Sequence, residues 1–287
     1  MPIPKTKVFL SSLVTSSTGG YRLLSPVPGD FSQTLLAEAP VTQWTWGIND
    51  LNGDGIADIV IGAPGDDDKA AEAGRVCVRL GTATGGTSGS AETAAFLTID
   101  GVAAGDLAGS AVGSVADMNG DGLGEILVGS PGFAADDAGA AFVLWGDSVG
   151  GGIDLGDPAQ GAGNGKGWII RGAAAGDAAG TTLRAIADLN GDGKAEVIVG
   201  APGNDDGGTD GGAVYVVWGK ANDAAVNLSA LGTKGFRIIG SDSNAGLGRV
   251  VARVDDRTAA VLVTHLHGLV CDIEPVAALC RRRGPPC

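Results

Sequence analysis

Short apolar runs separated by glycine-rich turns make up most of the chain. The runs at residues 74–81, 139–146 and 212–219 are rich in β-branched and aromatic residues, and each is bounded by glycines. No segment of helical length carries an apolar period of 3.6 residues. The pattern therefore predicts an all-β chain of many short strands.

One acidic segment recurs in register with these runs, at residues 50–64, 117–131 and 188–202. Its first copy reads Asp-Leu-Asn-Gly-Asp-Gly-Ile-Ala-Asp-Ile-Val-Ile-Gly-Ala-Pro, and all three copies keep the Asn-Gly-Asp-Gly centre. Such a repeat, about 70 residues long, indicates an array of similar structural units.

Two other kinds of segment recur in the same order. Strand-like runs stand at residues 21–24, 96–99, 168–171 and 236–239, and small-residue stretches follow the last three, at 108–112, 179–183 and 247–251. Each unit thus offers about four short strands. Four-stranded units that cannot bury both faces alone are typical of propeller blades. The first unit also carries an insertion at residues 25–43.

The acidic segment has the spacing of a calcium loop. Counted from its first aspartate, each copy has side-chain oxygens at positions 1, 3, 5 and 9 and a backbone carbonyl at position 7, and Ca²⁺ takes about six to eight oxygen ligands. The predicted ligands are Asp50, Asn52, Asp54, the Ile56 carbonyl and Asp58; Asp117, Asn119, Asp121, the Leu123 carbonyl and Glu125; and Asp188, Asn190, Asp192, the Lys194 carbonyl and Glu196.

Position 12 excludes an EF-hand, which needs an acid there and flanking helices. That position is Ile61, Val128 or Val199, each inside a strand-like run, so we predict calcium loops on β-hairpins and about three Ca²⁺ per chain. The alternative is that Asn-Gly and Asp-Gly simply make turns and the acids only aid solubility.

Composition narrows the class of partner. The formal net charge of the 287 residues is −14, which excludes nucleic acid and disfavours an anionic membrane surface. The 51 glycines follow no three-residue period, so collagen is excluded. No apolar run reaches the roughly 18 residues of a membrane span. Among the four cysteines, Cys77 lies in an apolar alternating run and is expected in the core.

These motifs resemble the FG-GAP repeat family over residues 20–255. The Gly-Ala-Pro mark is Gly62-Ala63-Pro64, Gly129-Ser130-Pro131 and Gly200-Ala201-Pro202. The Phe-Gly mark departs, since it reads Ala108-Gly109, Ala179-Gly180 and Leu247-Gly248. The best-known members are integrin α subunits, whose N-terminal β-propeller serves adhesion.

The resemblance implies Ca²⁺ at the loops, an extracellular or cell-surface setting, and a protein or glycan ligand on a propeller face. Only about three and a half to four blades are expected, so self-association or a partner chain could complete the propeller. The expected organisation is an N-terminal segment at 1–19, a propeller at 20–256 with blades at 20–95, 96–166, 167–234 and an incomplete 235–256, and an aberrant tail at 257–287.

The sequence is also compatible with two alternatives to an adhesion module. Trp44, Trp46, Trp145, Trp168 and Trp218 could stack on sugars in a lectin-like propeller. The chain could also be a non-functional fragment of a larger FG-GAP protein. Catalysis is not expected, because the only histidines, His265 and His267, lie in the aberrant tail, where a metal site with Cys271 is a weaker alternative.

Overall fold

The computed structural model describes residues 23–24, 34–36, 50–81, 89–90, 96–146, 151–156 and 165–249, and its secondary structure is almost entirely β. The strands are β1 (Leu23–Leu24), β2 (Thr34–Leu36), β3 (Ile59–Ala63), β4 (Arg75–Arg79), β5 (Gly89–Ser90), β6 (Leu97–Asp100), β7 (Ala111–Val115), β8 (Glu125–Ser130), β9 (Ala140–Leu144), β10 (Gly151–Asp154), β11 (Gly167–Arg171), β12 (Thr182–Ile186), β13 (Glu196–Ala201), β14 (Ala213–Val217), β15 (Val226–Asn227) and β16 (Gly235–Ile239).

Helix is confined to two single 3-10 turns within these ranges, Leu228–Ala230 and Gly232–Lys234. The all-β prediction is confirmed. None of the helical segments in the described part of the chain is long and apolar enough to span a bilayer. The chain separates into two compact units, residues 1–250 and 251–287, and the second lies outside the described residues.

Three antiparallel sheets repeat one plan, in which four strands follow one another across the sheet. The first sheet is β2-β3-β4-β6, the second β7-β8-β9-β11 and the third β12-β13-β14-β16. Neighbouring strands pair in the same register in each copy; for example, Val128 of β8 lies opposite Phe142 of β9, and Val199 of β13 lies opposite Tyr215 of β14. Four-stranded blades of a partial propeller fit this arrangement.

The sheets are divided one strand later than the sequence units. The run at 96–99 was expected to open the second blade and the run at 168–171 the third, but β6 closes the first sheet and β11 closes the second. The reason is pairing: β6 is antiparallel to β4, and β11 is antiparallel to β9, within the sheet that each of them follows along the chain.

A short strand from the second sheet's segment of the chain pairs with the first sheet, and one from the third sheet's segment pairs with the second. Strand β10 lies parallel to β6 with Ile153 beside Ile99, and β15 lies parallel to β11 with Val226 beside Ile170. Both donors come from the connection between the third and fourth strands of the following sheet. The pair β1 and β5 repeats the arrangement at the start of the chain. These short donor strands were not predicted.

Both faces of the second sheet are buried, which explains its continuous apolar runs. Ile126, Val128 and Phe142 join one core cluster with residues of the first sheet. Leu127 and Val143, the alternate positions, join a second cluster with residues of the third sheet. Cys77 is buried in the first cluster, as expected.

Glycines bring the backbones of adjacent sheets into contact. A Cβ on Gly129 would lie 2.1 Å from the carbonyl oxygen of Gly180, and a Cβ on Gly62 would lie 2.1 Å from that of Gly109. Gly109 and Gly180 have φ of +90° and +92°, and they donate their N–H groups to the carbonyls of Gly129 and Gly200 at 2.9 and 3.0 Å. The triplet glycine and the glycine of the next unit therefore recur because this contact recurs.

Gly129→Ala should lower the free energy of unfolding by about 3 kcal/mol, because backbone atoms of the neighbouring sheet must move to admit the methyl group. Urea unfolding at fixed calcium measures it. The matched control is Gly113→Ala in the same sheet, whose Cβ would meet only Leu127 side-chain atoms, at 3.7 Å and beyond. We expect the control to stay within about 1 kcal/mol of the parent; equal losses from the two substitutions would contradict the contact.

Candidate metal centres

Each acidic loop joins the first strand of a sheet to the second. The second loop runs from β7 to β8, and the third runs from β12 to β13. In the first two loops, the residue after the first aspartate is a buried anchor, Leu51 or Met118, which packs in the core between sheets. These two loops are therefore held at both sides, by the strands of their sheet and by an anchor residue buried in the core.

The aspartate at position 1 organises the turn by accepting backbone hydrogen bonds. In the third loop, Gly191 N–H donates to Asp188 Oδ1 at 2.6 Å, and Gly193 N–H donates to Asp188 Oδ2 at 2.8 Å. Asp192 Oδ1 accepts from Lys194 N–H at 2.9 Å. Both glycines have φ of +85°, which L side chains rarely adopt. The other two loops repeat these bonds.

In the second and third loops, the acid at position 9 is the first residue of the second strand, and its side chain turns back under the loop. Glu125 is fully buried and accepts Met118 N–H at 3.0 Å through Oε1. Glu196 is also fully buried, and its Oε2 accepts Leu189 N–H at 2.6 Å. These bonds close each loop, and they bring a buried carboxylate beneath the exposed acids.

Three carboxylates converge in two of the loops. Asp117, Asp121 and Glu125 each offer an oxygen, and these oxygens lie within 4.8 Å of one another. The same holds for Asp188, Asp192 and Glu196. This convergence is the spacing that a shared cation requires, and oxygen is the ligand type that hard divalent cations prefer.

One oxygen in the third loop has no hydrogen-bond partner. Glu196 Oε1 is buried and unpaired, which costs free energy unless a donor or a cation meets it. The first loop differs, because Asp58 is one methylene shorter and both its oxygens accept N–H groups, from Leu51 at 2.8 Å and Gly81 at 3.0 Å. The structure does not gather Asp50, Asp54 and Asp58 as it gathers the other two sets.

Burial and neighbouring charges shift the pKa values of acids in these loops in opposite directions. Burial, together with the charges of Asp117 and Asp121, raises the pKa of Glu125 to about 7. Burial also raises the pKa of Glu196. In contrast, the Gly193 and Gly191 N–H groups hold the pKa of Asp188 below its usual value. The third site thus combines an acid whose pKa is lowered, Asp188, with a buried acid, Glu196, whose charge a cation would stabilise.

Some acids outside the loops are held by arginines. Arg75 Nε donates to Asp100 Oδ1 at 2.5 Å, and Arg75 also pairs with Asp68. Arg237 pairs with Asp206. The sequence motif did not single out Arg75 or Arg237, whose partners Asp68 and Asp206 lie in the acidic segments that follow two of the Gly-Ala-Pro triplets.

Two of the three tryptophans in the described residues are buried and therefore cannot stack on a sugar ring. Trp145 and Trp168 are buried in the core between the second and third sheets. Trp218 lies in edge contact with Phe236, with ring centroids 5.7 Å apart. Trp44, Trp46, His265, His267 and Cys271 lie outside the described residues.

Comparison with known protein families identifies the same three repeats that the sequence and the sheets show. A family model described as FG-GAP repeat matches residues 48–78, 108–144 and 179–217. Each match covers one acidic loop and the second and third strands of a sheet. The search of curated proteins gave no match.

Gly193→Ala should destabilise the metal-free protein by about 1–2 kcal/mol, because the left-handed backbone is strained for alanine while the space around its Cβ is open. Gly193→Asn is the matched control, since asparagine tolerates this conformation better. Thermal unfolding with a chelator present compares them. Equal losses from both substitutions would show that the side chain clashes and that backbone strain is not the cause.

Proposed function

The chain carries three FG-GAP repeats, and from this premise we propose that it is a calcium-binding interaction module and not an enzyme. The observation that carries the calcium proposal is the convergence of three carboxylates beneath each of two loops, one of them with an unpaired buried oxygen. The ligand set is made of oxygen atoms alone, as calcium requires.

The proposed coordination uses positions 1, 3, 5, 7 and 9 of every loop. In the third loop these are Asp188, Asn190, Asp192, the Lys194 carbonyl and Glu196. The corresponding atoms of the other two loops complete the proposed total of about three Ca²⁺ per chain. In the first loop, Asp58 would bind the ion through the lone pairs that its two backbone N–H hydrogen bonds leave free, or through a water molecule.

Calcium acts structurally in this proposal. It neutralises acids that otherwise repel one another and ties together the first two strands of each sheet. With the affinity typical of extracellular modules, millimolar calcium stabilises each site by about 1–2 kcal/mol. An extracellular or cell-surface setting, where calcium is abundant, is part of the proposal.

The stabilised sheets would then present loops to a partner. FG-GAP propellers are typically interaction modules, and we propose a protein or glycan ligand bound by loops on one face, in the manner of integrin-like adhesion. The three described sheets are fewer than the four or more blades of closed propellers, so a further unit in trans belongs to the same proposal.

Calorimetric titration of chelator-treated protein tests calcium binding. We expect about three sites per chain and a raised melting temperature. Asp192→Asn should weaken one site by roughly tenfold or more, because it removes a ligand charge but keeps an oxygen that can accept the Lys194 N–H.

The matched control is Asp223→Asn, an exposed aspartate outside the loops, which should leave affinity and stoichiometry unchanged. Absence of calcium binding in a chain that melts cooperatively would contradict the proposal. Equal weakening by both substitutions would mean that overall charge, and not the loop, governs affinity.

A further inference from the structure

The outer face of the third sheet resembles an interface, but no other sheet in the described residues packs on it. Phe236 and Ile238 of β16 share this face with Val216 and Val214, which lie opposite them in β14. Phe236 is 41% exposed and Ile238 is 53% exposed. We call Leu189, Trp218, Phe236 and Ile238 the end face.

The same repeat positions in the second sheet are buried. Trp168 and Ile170, which correspond to Phe236 and Ile238, have no exposed surface, because the third sheet and β15 cover them. Met118 is 2% exposed, whereas its counterpart Leu189 is 52% exposed. The end face is therefore an interface between repeats whose partner surface is absent from the described part of the chain.

The edge of the third sheet is open in the same sense. Strand β6 receives β10, and β11 receives β15, each in parallel. In the part of the chain that the structure describes, β16 pairs only with β14. Its outer edge consequently offers backbone groups to an added strand, which is a common mode of peptide recognition.

The first unit contains a strand suited to this edge. Strand β5 pairs in parallel with β1, with Leu23 beside Gly89. The sequence around β1, Gly-Tyr-Arg-Leu-Leu at 20–24, matches that of β16, Gly-Phe-Arg-Ile-Ile at 235–239. Strand β1 thus occupies, in a two-residue ladder, the position relative to β5 that β16 would hold relative to the next repeat.

We propose that the end face binds a second copy of this chain. In the complex, β16 of one copy pairs in parallel with β5 of the other copy and replaces the β1 strand that β5 pairs with inside its own chain. In this pairing, Ile238 stands beside Gly89 of the second copy, as Leu23 does within one chain. The contact joins different surfaces of two identical chains, so it closes into a ring or continues as a filament. The inference names the partner in trans of the proposed function, but it does not depend on calcium.

Sedimentation of the full chain over a concentration series tests the association. We expect the parent protein to form dimers or larger species as concentration rises. Ile238→Asp should shift the protein to monomer, because it places a charge in the contact at a site exposed enough for the fold to tolerate it. Val102→Asp, at an apolar residue 38% exposed elsewhere, should associate like the parent.

A cysteine trap tests the register. A chain with Ile238→Cys is mixed with a differently tagged chain with Gly89→Cys under mild oxidation, and mass spectrometry locates the disulfide. Paired strands place these Cα atoms within disulfide reach, so we expect a link between residues 238 and 89 of different chains. A Val102→Cys chain in place of the Ile238→Cys chain should give no such link.

A chain that stays monomeric at all concentrations, or that associates equally after Ile238→Asp, overturns the inference. If that chain still binds calcium, the proposed function stands while this inference fails. If calcium binding is absent but the 238–89 link forms, the inference stands while the calcium proposal fails.

Discussion

The structure depends on a backbone contact between glycines of adjacent sheets. Gly129 lies so close to the Gly180 carbonyl that a single methyl group would overlap it, and Gly62 and Gly200 repeat the contact with Gly109 and Gly248. Any larger residue would push the sheets apart and open the apolar layers between them. The contact thus fixes the distance at which each repeat packs on the next, and the rest of the fold follows from it.

The acidic loops inherit their geometry from this packing. Because Met118 is buried in the core between sheets, the second loop cannot move independently of the sheet beyond it. Glu125 and Glu196 lie under their loops as the first residues of β8 and β13. Cation binding at these acids would therefore stabilise the hairpin and, through the anchor, the sheet interface. Leu189, the counterpart of Met118 in the third loop, is 52% exposed, so among the described residues that loop lacks the buried anchor.

Features that depend on nearby residues, such as short strands and tight turns, could be predicted from the sequence. Recurring glycines, valine-rich runs and Asn-Gly-Asp-Gly loops were enough to predict sheets of four short strands. The same loops predicted three acid sets, of which two converge in the described residues. Pairing across repeats was not predictable: β15 is a strand of only two residues, and nothing local assigns β6 to the sheet before it. Nor could spacing alone separate Asp58, whose oxygens are satisfied by the backbone, from Glu196, which keeps one unpaired.

The claim that these loops are cation sites is tested most directly by a crystal structure of the calcium-loaded protein with anomalous scattering data. We expect an ion between Asp188, Asp192 and Glu196, with Glu196 Oε1 at about 2.3–2.6 Å from it. A structure grown in saturating calcium in which Glu196 Oε1 meets a water molecule or a side chain, with no ion in the loop, would contradict it.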